Sequence, residues 1–191
     1  MTDPGPDLRE RTRLRRLRTD ELAPAEVDAI RALMIAAFGD DDDERFTEED
    51  WQHSIGGIHV VLDIDGRIVS HASLVLRAIQ LGGRSLRTGY VEAVATAPDR
   101  QGRGLGTIVM GAIGELIRAG FELGVLGTGS QHFYERLGWR SWLGPSAVRT
   151  ADGLRPTPDD DGFLMVLDTP ALPDPDLTGP ISCEWRPGDV W

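Results

Sequence analysis

The sequence contains no lysine; all twenty of its basic residues are arginine. That absence excludes a P-loop, in which the last glycine is followed by Lys and Ser/Thr. An all-arginine basic set also suggests a GC-rich bacterial genome. There is a single cysteine, Cys183, so an internal disulfide and a cysteine metal site are both excluded. No apolar run approaches the length of a membrane span. The N-terminal arginines are not followed by the apolar stretch of a signal peptide. Together these features favour the cytoplasm. Positive charge is short as well: the net charge is −11, against the basic surface that nucleic acid binding needs. An acidic surface keeps a protein soluble. An acidic cleft would also attract a cationic small substrate. His53, His59, His71 and His132 have no metal-ligand spacing and read as surface or structural residues.

The length suits one compact domain with a real core. Residues 1–10 read as a flexible start and 11–191 as a single domain. Residues 9–18 are locally basic and fit a partly exposed edge strand, with Leu14 and Leu17 as apolar contacts. Thr19-Asp20 reads as a helix N-cap region before Val27, Ile30, Leu33, Met34 and Phe38 at helical spacing. Asp40 to Glu44 is an acidic run, expected to form an exposed loop. Thr47-x-x-Asp50 is a capping-box-like start for a short helix through Trp51 and His53. Asp65-Gly66 marks a hairpin turn, which makes Asp63 and Asp65 structural; Gly82-Gly83 marks the next turn. Leu86 to Thr96, Leu123 to Leu126, Trp139 to Val148 and Phe163 to Leu167 read as strands. A helix follows Gly106, and another spans Ser130 to Leu137. The order predicts an α+β domain with a mixed sheet. The Pro- and Asp-rich tail after Pro170 reads as irregular, but its Trp185 and Trp191 argue that it docks onto the domain.

The chain is organised around Tyr90-Val91-Glu92-Ala93-Val94-Ala95-Thr96 and the Gln101-Gly102-Arg103-Gly104-Leu105-Gly106-Thr107 turn that follows. A buried strand, a glycine turn and a helix start bring backbone N–H groups together, and the helix dipole favours an anion there. Gly102, Gly104 and Gly106 leave room for close approach. The spacing G-x-G-x-G is not the G-x-G-x-x-G of a dinucleotide fold. Glu92 lies in an otherwise apolar strand, where a carboxylate is costly unless it has partners or a role. It is the leading candidate for a general base. Cys183, alone in the tail, is a poor candidate for a nucleophile.

Gln101, Gly104 and Gly106 fit the pattern Q/R-x-x-G-x-G/A. After a strand containing Val-Ala-Thr, this resembles the pyrophosphate loop of the GNAT superfamily of acyl-CoA-dependent N-acetyltransferases. The resemblance implies the GNAT fold, acetyl-CoA as co-substrate, and the cofactor site at residues 101–107. It implies main-chain roles for Val94 and Thr96 along the pantetheine arm, with the Val94 amide as candidate oxyanion donor. Phe133-Tyr134-Glu135-Arg136-Leu137-Gly138-Trp139 resembles the segment in which a GNAT tyrosine protonates the leaving thiolate, here Tyr134.

A closer resemblance is to the actinobacterial aminoglycoside 2′-N-acetyltransferases. It is carried by Phe46-Thr47-Glu48-Glu49-Asp50-Trp51, Gly56-Gly57-Ile58-His59, Gly89-Tyr90-Val91-Glu92, Arg155-Pro156-Thr157-Pro158-Asp159-Asp160-Asp161-Gly162 and the ending Cys183-Glu184-Trp185-Arg186-Pro187-Gly188-Asp189-Val190-Trp191. It implies direct acetylation of an aminoglycoside 2′-amine in a ternary complex. It also implies a homodimer and a sugar site lined by Glu92, Asp160, Asp189 and the Trp191 carboxylate. The family's Asp after the first helix has Asp40, Asp43 or Glu44 as its counterpart here. Where the family has Ser at the end of the Leu-Gly-x-Leu strand, this chain has Gly127, beside Thr128. Two other readings remain: acetylation of another cationic amine, and an acyl-CoA-binding regulator without catalysis.

Overall fold

The computed structural model describes residues 11–39 and 45–191. Asp40, Asp43, Glu44 and the flexible start expected at residues 1–10 lie outside the described residues.

The basic N-terminal segment is strand β1 (Thr12–Arg18), paired antiparallel with β2 (Ile58–Ile64). Its arginines suit an edge strand, where charge discourages further pairing. Leu17 packs on the core, while Leu14 is largely exposed. Helix α1 (Pro24–Phe38) begins later than Thr19-Asp20 suggested. Thr19–Glu21 is a separate 3-10 turn, and Pro24 starts the helix because its fixed φ is already helical. The Ala23 N–H donates to Glu26 at 3.0 Å, which caps this start. Helix α2 (Glu48–Ser54) has the expected capping box: Asp50 N–H donates to Thr47 Oγ1 at 3.2 Å, and Thr47 N–H to Asp50 Oδ2 at 2.8 Å.

Strands β3 (Arg67–Leu81) and β4 (Arg84–Thr96) form the spine of the sheet. Asp65 and Gly66 turn β2 into β3 with φ of 51° and 81°, both positive as a type I′ turn requires. Side chains alternate across the spine. Leu74 and Val91 face the core shared with Ile30 and Met34 of α1 and with Val109, Ile113 and Ile117 of α3 (Leu105–Gly120). Val75 and Tyr90 face a second core with Trp142, Ile181 and Trp191.

Strand β5 (Leu123–Gly127) lies parallel to β4, and α4 (Gln131–Glu135) follows it. The single strand expected over Trp139 to Val148 is instead two, β6 (Arg140–Ser141) and β7 (Ser146–Thr150). Six strand spacings separate them in the pairing order, yet only residues 142–145 join them, so the sheet curls to bring these strands near each other. A side chain on Gly144 would put its Cβ 1.9 Å from the Gly179 carbonyl oxygen, which explains glycine where this connection meets the tail. The sheet order is β6-β9-β5-β4-β3-β10-β7-β8, with β1 and β2 extending from β3; here β8 is Gly153–Pro156, β9 Leu164–Leu167 and β10 Ile181–Glu184.

Thus the tail is less irregular than its composition suggested. Strand β10 pairs antiparallel with the end of β3 and parallel with β7. Both partners are remote in sequence, so no local pattern announced the pairing. The tail docks through Ile181, Cys183 and Trp191, all buried, whereas Trp185 remains exposed.

Candidate active site

The site exists because β4 and β5 separate. They pair only from Thr88↔Leu123 to Tyr90↔Val125, yet β4 runs on to Thr96. Where they part, β4 carries a bulge: its register with β3 shifts between His71 and Ser73, and Ala93 takes a φ of 50°. A non-glycine residue in this region is strained, and such strain concentrates at functional sites. The opening is a cleft of about 1280 Å³. Glu92, Val94, Thr96, Gln101, Gly102, Gly104, Leu105, Gly106, Thr107, Tyr134, Asp160, Asp189 and Trp191 all line it. Arg103 does not; it is exposed on the loop, outside the cleft lining.

The glycine turn is built as an anion cradle. Gly102 and Gly104 have φ of 74° and 78°, which a side chain would resist. Gly104 is the N-cap of α3 and supplies no side-chain cap, so the first-turn amides are left for a ligand. A Cβ on Gly106 would lie 3.3 Å from Thr96 Oγ1 and 3.4 Å from the Phe133 ring, so the helix start packs closely on the end of β4. Gln101 braces the loop against the end of β4: its Nε2 donates to the Thr96 carbonyl at 3.2 Å.

Glu92 is nearly buried and accepts from Arg186 Nη1 at 2.6 Å. Burial raises its pKa above the ordinary carboxylate value, Asp189 adds to the rise, and the Arg186 charge opposes it. The net direction is upward because desolvation of the carboxylate is the larger effect. Arg186 also donates from Nε to the Asp189 carbonyl at 2.7 Å and from Nη2 to the Trp191 backbone oxygen at 3.2 Å. One guanidinium therefore ties Glu92 to the tail at Asp189 and Trp191. Arg77 anchors the same tail, donating to the Val190 and Glu184 carbonyls at 2.9 and 3.0 Å. The Trp191 indole donates to Thr157 Oγ1 at 2.9 Å, beside Asp160 in the cleft lining. The Asp160 pKa is raised by burial and by Asp189, so these carboxylates feel one another.

Tyr134 is buried and its pKa is raised by burial to about 12, with a hydrogen bond to the Thr128 side chain acting the other way. At neutral pH it holds its proton. Phe133 and Trp139 pack edge-on against it, with ring centroids 4.9 and 6.3 Å away, and set its orientation. Gly127 lies where the family resemblance placed a serine. A Cβ there would be 3.7 Å from the Tyr90 hydroxyl and 3.9 Å from the Trp191 backbone carbonyl carbon, so the position borders the main chain of Trp191.

Sequence reading missed the part played by Arg186. It stood in the C-terminal motif, but nothing local tied it to Glu92, 94 residues away. Arg45, Asp50, Phe163 and Arg136 also line the cleft without a local signal. Of the histidines, His59 and His71 are fully buried, His53 bonds the Pro187 carbonyl at 2.8 Å and His132 is exposed. Burial raises the Cys183 pKa to about 11, which suits a core thiol rather than a nucleophile. Among the described residues no cluster of three or more His, Cys, Asp or Glu could hold a metal. No described helix is long and apolar enough to cross a membrane.

A split β4–β5 pair, a bulge and an amide cradle at a helix start define an acyltransferase of the GNAT type. Residues 18–141 match the family model described as an acetyltransferase (GNAT) domain, and the chain belongs to the GNAT acetyltransferase family. More particularly, it is 38% identical over 181 residues to an aminoglycoside 2′-N-acetyltransferase of Mycolicibacterium fortuitum, covering 93% of this chain and 91% of that protein. Two solved structures share the fold. One is a GNAT-family N-acetyltransferase of Escherichia coli in complex with CoA, with TM-score 0.61 and 17% identity over 96% of this chain and 93% of that one. The other is a GNAT-family acetyltransferase of Brucella melitensis in complex with acetyl-CoA, with TM-score 0.58 and 20% identity over 90% and 95%.

Proposed function

We propose that this chain is an N-acetyltransferase that moves the acetyl group of acetyl-CoA onto the 2′-amine of an aminoglycoside. One observation carries the reading. A single cleft combines an amide cradle suited to a polyanion with a carboxylate set suited to a polycation: Glu92, Asp160, Asp189 and the C-terminus at Trp191. Relatedness to the Mycolicibacterium enzyme supports the same substrate class.

The residues present fit acetyl-CoA. Gly102 and Gly104 to Thr107 would hold the pyrophosphate, and the parted edge of β4 at Val94 and Thr96 would face the pantetheine arm. When bound, acetyl-CoA supplies the acetyl group as a thioester. Glu92 takes a proton from the substrate ammonium, directly or through water. Its raised pKa makes it a stronger base than a solvated glutamate. The Val94 N–H is the oxyanion donor. Tyr134 holds the proton that the leaving sulfur needs. Asp160, Asp189 and the terminal carboxylate bind further ammonium groups of the substrate. From the sequence resemblance, Asp40, Asp43 or Glu44 would add to this set.

Acetylation removes a positive charge from the drug, so drug resistance is part of the proposal. So is a cytoplasmic location, since an enzyme that consumes acetyl-CoA works where acetyl-CoA is made. A homodimer rests on family resemblance. The test is thiol release from acetyl-CoA with a panel of aminoglycosides. Release is expected with drugs bearing a 2′-amine and not with one lacking it. Equal rates on both would refute 2′ selectivity, and no release with any drug would refute the substrate class.

A further inference from the structure

Behind β4 lies a row of hydrogen bonds that the transfer steps above do not use. Thr19 Oγ1 is 2.9 Å from His59 Nε2, His59 Nδ1 is 2.9 Å from His71 Nε2, and His71 Nδ1 is 2.8 Å from the Ala93 carbonyl oxygen. Both imidazoles are fully buried. The far end dictates the direction of the whole row. A carbonyl only accepts, so His71 Nδ1 must carry a hydrogen. A neutral ring then has a bare Nε2, so His59 Nδ1 must donate to it. His59 Nε2 is bare in turn, and the Thr19 hydroxyl donates to it. One tautomer of each ring satisfies every bond, and burial keeps both rings neutral.

The row ends at the bulge. Ser73 faces Glu92 and His71 faces Ala95, so β4 has one residue more than β3 between these pairs. Such a mismatch disrupts the ladder locally. The Ala93 carbonyl is instead satisfied by a β3 side chain, His71. No described peptide bond is cis. In a planar trans peptide the N–H points opposite to the C=O. With the Ala93 carbonyl directed at β3, the Val94 N–H is directed away from β3. That is the side on which β4 has parted from β5, where the cleft lies.

We propose that His71, held in register by His59, is a positioning residue that locks the Ala93–Val94 peptide so that the Val94 N–H faces the developing oxyanion. Without this bond the carbonyl of a strained residue is free to turn, and the N–H turns with it. The proposal rests on the acetyl-transfer reading, but its first test does not.

That test is nitrogen-15 NMR of the ring nitrogens in the ligand-free protein. Both His59 and His71 are expected as the Nδ1–H tautomer; an Nε2–H tautomer at His71 overturns the proposal whether or not any variant folds. The second test compares two substitutions. In His71→Asn the side-chain amide reaches roughly where Nδ1 stood, and in His71→Gln roughly where Nε2 stood. His71→Gln is expected to lower kcat about 10- to 100-fold, short of or equal to the loss of a whole oxyanion donor. His71→Asn is expected to stay within about threefold of wild type, because the donor to Ala93 is kept. Both should leave the KM for acetyl-CoA and aminoglycoside unchanged, and backbone motion at Val94, read by nitrogen-15 relaxation, should increase only in His71→Gln. Equal kcat in the two variants, or losses confined to KM, would overturn the positioning role. A wild type inactive on every aminoglycoside would instead overturn the proposed function, with the tautomer and relaxation results still readable.

Discussion

Acidification from pH 7 to pH 5 is expected to cost the fold roughly 4 kcal/mol through His59 and His71 alone. In the folded protein burial lowers their pKa values from 6.5 to about 4 and about 3, with the neighbouring ring adding to the effect at His71. In the unfolded chain both take a proton near 6.5. Between these values the unfolded state holds more protons, so stability falls as the pH falls. The contribution is complete above pH 6.5 and is lost progressively toward pH 4 and then pH 3. At pH 5 both folded values have yet to be reached, so the loss depends on the unfolded value only. It amounts to about 1.36 kcal/mol for each pH unit below 6.5, or about 2 kcal/mol per ring. For a chain of this size that corresponds to a drop in Tm of roughly 8–16 °C. Glu92 and Asp160, whose pKa values are raised, act in the opposite sense as they protonate. Calorimetric melts at pH 7 and pH 5 should therefore compare wild type with the double variant His59→Gln/His71→Gln, which has no titrating ring at either position. The variant is expected to start from a lower Tm and to lose much less of it on acidification. An equal drop in both proteins, or an NMR titration placing either wild-type ring near pH 6.5, would refute the reasoning.

Glu92→Gln is expected to lower kcat about 100-fold or more while leaving the acetyl-CoA KM unchanged, as for loss of a general base; steady-state kinetics decide it. Arg186→Met removes the charge that opposes burial at Glu92, so the acid limb of the kcat/KM profile is expected to move to higher pH by about one unit. An unmoved limb would show that Glu92 is not the group titrating in the profile. Appending one glycine after Trp191 keeps the buried indole and displaces the carboxylate; the aminoglycoside KM is expected to rise about tenfold, as for loss of one charge-assisted contact. Gly106→Val crowds the helix start against Thr96 and Phe133, and the acetyl-CoA KM is expected to rise about tenfold or more, measurable also as weaker binding by calorimetry.

Much of this protein is local and therefore readable along the chain. The Asp65-Gly66 turn requires positive φ at both positions, and the residues present tolerate it. Thr47 and Asp50 cap α2 across a single turn. Gly102 and Gly104 announce the anion cradle because few other residues accept that backbone. Glu92 stood out because a carboxylate in an apolar strand needs a reason.

What tertiary structure alone decided is where remote segments meet. Arg186 pairs with Glu92, His71 reaches the Ala93 carbonyl, and β10 completes the sheet beyond β3. The burial that raises Glu92 and keeps both histidines neutral is likewise a property of the assembled core. Turns and caps depend on neighbours a few bonds away, so residue type expresses them directly. Desolvation and long-range hydrogen bonds depend on which surfaces the packed sheet brings together, and that information is not carried by any one stretch of the chain.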